Sequence, residues 1–274
     1  MPNEIDVDTW EAFEDRLNEF RNHRTTNEPS APALHFRGHA NSRWSLSTTL
    51  ERNKKPAMLF KDYYRAISVL RPEIETFTST QWAIPTYPEV EKLVQDYDPF
   101  SLALTFGPHP AYDYMIYLRH HGFPSPLLDW TRSVHVAAYF AFNNAGESGA
   151  VSIYVLLEGK FKSGSNGVPS IHRMGPYVKT HRRHFLQQSD YTMCLVFGSD
   201  SQWRFAEHDR VLTCNNVHGD IWWNYDLMKF NIPVGERLKV LKLLDEHNLN
   251  AFSLFGSEES LMETMSLRKL HFQN

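Results

Sequence analysis

Cysteine is scarce: Cys194 and Cys214 are the only two in 274 residues. Two thiols build no disulfide framework, and their spacing fits no zinc-binding pattern. Cys194 falls in the apolar run Tyr191-Thr192-Met193-Cys194-Leu195-Val196-Phe197, where a small buried hydrophobe is expected. No apolar stretch approaches the ~18–20 residues that a bilayer crossing needs. The opening Met1-Pro2-Asn3-Glu4-Ile5-Asp6 lacks the basic and apolar regions of a signal peptide. The expected compartment is the cytoplasm, with no membrane partner. Positive charge is not concentrated either. Lys and Arg total 28 against 32 Asp and Glu, a net charge of −4, and the longest basic cluster is His181-Arg182-Arg183-His184. General binding to duplex nucleic acid, which needs many phosphate contacts from one positive surface, is disfavoured. The glycine-rich phosphate loops, the H-E-x-x-H zinc helix and the G-x-S-x-G elbow are all missing. His35 and His39 are four apart, but Gly38 breaks the helix that such a zinc pair requires, so no metal is expected. Neither cysteine has an activating neighbour in sequence.

Aromatic residues, in contrast, are abundant: 7 Trp, 12 Tyr and 18 Phe, or 14% of the chain. Rings of this kind fill cores and also wall flat ligand clefts. Hydrophobic residues at 42% and charged residues at 22% are ordinary for a folded protein. The length supports a real core. With no internal repeat or composition break, residues 1–274 read as one domain, residues 1–32 being an N-terminal helix and linker.

Trp10, Phe13, Leu17 and Phe20 recur at helical spacing, and Asp8 and Glu11 have capping-box spacing, so residues 8–22 read as a helix. A polar linker follows over 25–32. Residues 33–37 read as a strand that Gly38 stops. A helix is expected over 56–76, with Pro56 near its start and Pro72 breaking or kinking its end. Residues 80–110 hold many prolines and read as a long irregular segment or lid. Short helices are expected over 110–121 and 133–144, with the turn Gly122-Phe123-Pro124-Ser125-Pro126 between them. Ala150–Leu157 reads as a strand and 159–175 as a Gly/Ser-rich loop. Strands near 190–197 and 226–232 and helices over 235–247 and 257–265 complete the pattern.

From Phe36-Arg37-Gly38 onward the chain resembles the FRG domain family. Trp44, Leu46 and Arg52 match the family's W-x-L…R stretch. Leu118-Arg119-His120-His121-Gly122-Phe123-Pro124-Ser125-Pro126-Leu127-Leu128-Asp129-Trp130-Thr131, with Ala138-Tyr139-Phe140-Ala141, is similar to its Q-H-Y-G-x-P-T-R-L-L-D-W-T…A-x-Y-F-A signature. Arg183…Gln187 with Tyr191-Thr192, and Ser253-Leu254-Phe255, resemble its later elements. The likeness runs roughly over 33–265. Three positions depart from the pattern: Arg119 replaces a Gln, Pro126 an Arg, and Ser257 the first acid of a P-D-L-D stretch whose last acid is Glu259 here.

The order of elements in this family resembles that of ADP-ribosyltransferases. The resemblance implies an α+β fold: a central, mainly antiparallel split sheet flanked by helices. It also implies NAD as substrate and a protein or nucleic-acid acceptor of ADP-ribose, a chemistry suited to a toxin or to phage defence. Arg37 would grip the diphosphate, as a planar guanidinium fork can. Tyr139 would line the nicotinamide pocket. Glu259 would stabilise the oxocarbenium ion that forms as nicotinamide leaves. His120, Asp129, Trp130 and Thr131 would join Arg37 around the cofactor, with Asp129 orienting His120 or His121.

Each residue also has a structural role open to it. Arg37 can be a strand-end arginine in an ion pair. Asp129 can cap the next helix, in competition with Thr131 or Ser133. Trp130, Tyr139 and Phe140 can be core, and Glu258, Glu259 and Glu263 a solvated helix face. His120 and His121 point in different directions on a helix, so at most one is functional. The alternative function is therefore a non-catalytic module that binds a nucleotide-like small molecule or a partner through the same cleft. Ser257, Arg119 and Pro126 favour it.

Overall fold

The structure, a computed structural model, describes residues 2–27, 33–53, 57–95, 111–157, 167–175, 178–211 and 227–272. Cys214, Pro56, the end of the linker at 28–32, and the parts of the expected loops at 96–110 and 158–166 lie outside the described residues.

Strands β1 (Asn3–Asp6), β2 (Leu34–His39), β3 (Leu127–Thr131), β4 (Ala150–Leu157), β5 (Ser170–Arg173), β6 (Ser189–Phe197), β7 (Trp203–Phe205) and β8 (Leu227–Pro233) form one sheet. Its order is β1-β8-β4-β2-β3-β6-β5, with β7 on β6. β1 runs parallel to β8, and the other described pairs are antiparallel. β2 pairs with β4 along its whole length but with β3 only at Phe36 and Thr131. The sheet is mainly antiparallel, as expected, and β2 and β3 diverge on either side of that one pairing.

The helices cover the two halves separately. Helices α1 (Trp10–Asn27), α2 (Thr49–Arg52), α3 (Phe60–Thr78), α4 (Tyr87–Gln95) and α5 (Tyr112–His120) precede β3. Helices α6 (Val134–Asn143), α7 (Arg183–Leu186), α8 (Arg237–Glu246), α9 (Ala251–Phe255) and α10 (Glu258–Ser266) follow it. Phe13 and Phe20 of α1, Phe142 of α6 and Leu244 of α8 close over Phe36, Ile153 and Phe230. Tyr63 and Ile67 of α3 and Met115 of α5 close over Leu127, Met193 and Phe205. Each fully buried side chain of this size contributes roughly 1.5–3 kcal/mol, so two apolar clusters flank the central seam. Among the described residues no helix is long and apolar enough to cross a membrane.

Several local expectations change. Thr9, not Asp8, caps α1, its hydroxyl accepting from the Ala12 amide at 3.1 Å. α1 continues to Asn27, into the expected linker. Gly38 does not stop β2, which runs on to His39. A Cβ at position 38 would lie 1.9 Å from the Ala137 carbonyl oxygen, so glycine is there to let α6 lie against the strand. Pro72 does not end α3. Burial of Phe60, Tyr63, Tyr64 and Ile67 anchors the helix, and such packing offsets the ~3 kcal/mol that an internal proline costs. Residues 159–175 contain β5, and α4 lies within 80–110. Leu127–Thr131, between the expected turn and the next helix, is a largely buried strand.

Candidate functional site

A cleft of about 390 Å³ opens at the seam where β2 and β3 diverge, within the ~300–1,000 Å³ usual for small-molecule sites. Arg37, Gly38 and His39 of β2 and Asp129, Trp130 and Thr131 of β3 form its walls. His120, Trp44, Phe140, Arg183, Gln187 and Phe255 complete it.

The Arg37 guanidinium donates from Nε to His39 Nε2 at 3.1 Å and from Nη1 to the Asp129 carbonyl at 2.7 Å. His39 must be neutral to accept that bond, and burial together with the Arg37 charge pulls its pKa down to about 3. Burial also draws Arg37 down to about 10, still far above neutral pH, so it stays charged. Its partners are a neutral ring and a carbonyl. Among the described residues no carboxylate stands within ion-pair distance of it, so its charge is available to a ligand.

Asp129 is held elsewhere. Arg119 donates to one carboxylate oxygen from Nε and to the other from Nη2. Burial works to raise the Asp129 pKa, but the charge and hydrogen bonds of Arg119, with Arg37 nearby, bring it below the usual range. Its side chain remains 43% exposed, in the cleft. Asp129 neither caps α6, whose N-cap is Ser133, nor orients a histidine. His120 Nε2 instead meets the Tyr191 hydroxyl at 3.2 Å, and desolvation lowers its pKa against the pull of Asp129. His121 is exposed against the Tyr117 ring.

The far wall comes from the C-terminal third. Thr131 Oγ1 donates to the Gln187 carbonyl at 2.7 Å, and Gln187 Nε2 donates to the Leu254 carbonyl at 3.3 Å. These bonds tie β3, α7 and α9 together. Arg183 lies over the Phe255 ring at 5.4 Å, and its Nε is buried with no hydrogen-bond partner. It too has no carboxylate in ion-pair range among the described residues. Trp44, 55% exposed, offers an open ring beside His39. Trp130, buried, has its indole N–H committed to Thr192 Oγ1 at 2.8 Å.

Two residues expected at the centre lie outside the lining. Tyr139 is buried in the core, its hydroxyl donating to Glu263 at 3.1 Å, because on α6 the neighbouring Phe140 faces the cleft instead. Glu259 is exposed on the first turn of α10. A hydrogen bond from Ser257, then the charge of Arg183, lower its pKa. Ser257 itself is the N-cap of α10, a position that serine fills well. Sequence reasoning passed over His39 as a site residue. Its only signal is the strand period of two, which sets it on the same side of β2 as Arg37.

Residues 32–149 match the family model of the FRG domain. No curated protein and no solved structure matches the chain. The matched span ends before Arg183, Gln187 and Phe255, which the fold nevertheless brings to the same cleft.

Proposed function

We propose that this FRG domain protein is a recognition module that binds a nucleotide-like anion in the cleft between β2 and β3. One observation carries the reading: Arg37 and Arg183 line a single cavity, and neither has a carboxylate partner among the described residues. Two guanidiniums held this way suit phosphate oxygens, and the open Trp44 ring offers a stacking surface for a base. Among the described residues the one carboxylate in the wall, Asp129, is already neutralised by Arg119.

Thermal unfolding with NAD, ADP, AMP and pyrophosphate tests this. A ligand at about 100 times its dissociation constant should add about 2.7 kcal/mol, a rise of several degrees in a chain of this size. Arg37→Gln should weaken binding at least tenfold, since a charge-assisted bidentate contact is lost. A flat response to all four compounds would sink the reading.

A second reading is transfer of ADP-ribose from NAD to a protein or nucleic-acid acceptor, in a toxin or phage-defence setting. It draws on Glu259, an exposed carboxylate on the first turn of α10. On this reading Glu259 stabilises the cation left as nicotinamide departs. Incubation with labelled NAD and cell lysate should then release nicotinamide and label an acceptor, and Glu259→Gln should abolish both. Stabilisation by NAD without turnover leaves the binding module.

A further inference from the structure

We propose that Asp129 is the hydroxyl-accepting residue of this cleft and commits it to a ribose-bearing anion, an inference that rests on the nucleotide reading above. β3 is otherwise buried, with Leu127, Leu128, Trp130 and Thr131 all covered. Asp129 alone in the strand keeps a side chain 43% exposed, and that exposure faces the cleft it shares with Arg37. Each carboxylate oxygen takes one hydrogen bond from Arg119, at Nε or at Nη2. The fork holds the carboxylate in one orientation, with a lone pair on each oxygen still unused. An ionised carboxylate has no proton to donate, so it can only accept. What it admits beside Arg37 is therefore an O–H donor. Two oxygens fixed side by side suit two neighbouring hydroxyls, the arrangement of a ribose diol. The same residue thus marks both halves of the ligand, because its carbonyl aims the Arg37 guanidinium while its carboxylate receives the sugar.

The test is isothermal titration of the whole chain with pyrophosphate, with ADP, GDP, CDP and UDP, and with the 2′-deoxy counterpart of each diphosphate. Every ribonucleotide that binds should do so at least about tenfold more tightly than its deoxy form, the effect of losing a hydrogen bond to a charged acceptor. In Asp129→Asn the ratio should shrink towards unity. Equal affinity for ribo and deoxy forms in the unaltered protein overturns the assignment without recourse to any variant. So does an undiminished preference in folded Asp129→Asn. If pyrophosphate binds and no nucleotide does, the ribose assignment falls while the anion site stands. If nothing binds, the nucleotide reading itself is lost.

Discussion

Replacing Gly38 with alanine is expected to destabilise the fold by about 3 kcal/mol or more. The added methyl would sit 1.9 Å from the Ala137 carbonyl oxygen, 2.6 Å from the Ala141 nitrogen and 3.0 Å from the Ala137 carbonyl carbon. All three are backbone atoms of α6, so no side chain can rotate aside. Relief requires the helix to lift from the sheet. α6 also buries Ala138, Ala141 and Phe142, whose packing would be lost with it. In a chain of this length the change corresponds to a fall in Tm of roughly 6–12 °C. Gly146→Ala is the control. A Cβ there meets nothing within 4 Å, and a surface change of that kind should stay within about 0.5 kcal/mol. A Gly38→Ala protein melting within about 2 °C of the original would refute the close-approach account. Gly38 and Ala137 also line the cleft, so partial lifting of α6 should weaken nucleotide binding at temperatures where the variant is still folded.

Acid should unfold the protein well before its ion pairs are protonated. His208 and His39 are buried, and their pKa values fall to about 3, in both cases through desolvation and then the Arg37 charge. Burial lowers His172 to about 4. In the unfolded chain each of these rings titrates near the ordinary histidine value of 6.5. Above that value both states are neutral and stability is full. As pH drops below it the unfolded state takes up protons that the folded state refuses, and stability declines continuously towards the folded-state pKa. At about pH 5 the loss is on the order of 2 kcal/mol for each ring. Three together approach the whole stability of an ordinary domain. Glu51 and Asp209, whose pKa values are raised first by burial, act in the opposite sense, because the folded state binds their protons more readily. The urea midpoint should fall by about half or more between pH 7.5 and 5, and His172→Gln should restore part of it. A midpoint that holds constant, or rises, would show that these rings are protonated in the folded state.

Much of the scaffold was legible along the chain. The helical spacing of Trp10, Phe13, Leu17 and Phe20 marks residues that all reach the core. The apolar runs at 150–157 and 190–197 are strands that are almost wholly buried. Arg37, His120, Asp129, Trp130 and Thr131, singled out along the chain, all line one cleft. Such patterns survive because burial imposes a period on each element locally. Errors arose where a residue's neighbour is distant in sequence. Gly38 reads as a strand breaker until α6 is seen lying on it. Tyr139 and Phe140 are equivalent in composition, and only the rotation of α6 buries one and turns the other to the cleft.

By itself, the order of residues determined the periodic elements, the apolar clusters and the stretch that matches the FRG domain, because each depends on spacing within a short segment. Tertiary structure alone decided the charge state of the cleft. Arg119 takes both oxygens of Asp129, which leaves Arg37 with a neutral imidazole and a carbonyl. Arg183 arrives from a distant segment with no carboxylate in ion-pair range among the described residues. Whether a guanidinium is free for a ligand depends on which carboxylates lie within a few ångströms, and no linear pattern records that distance.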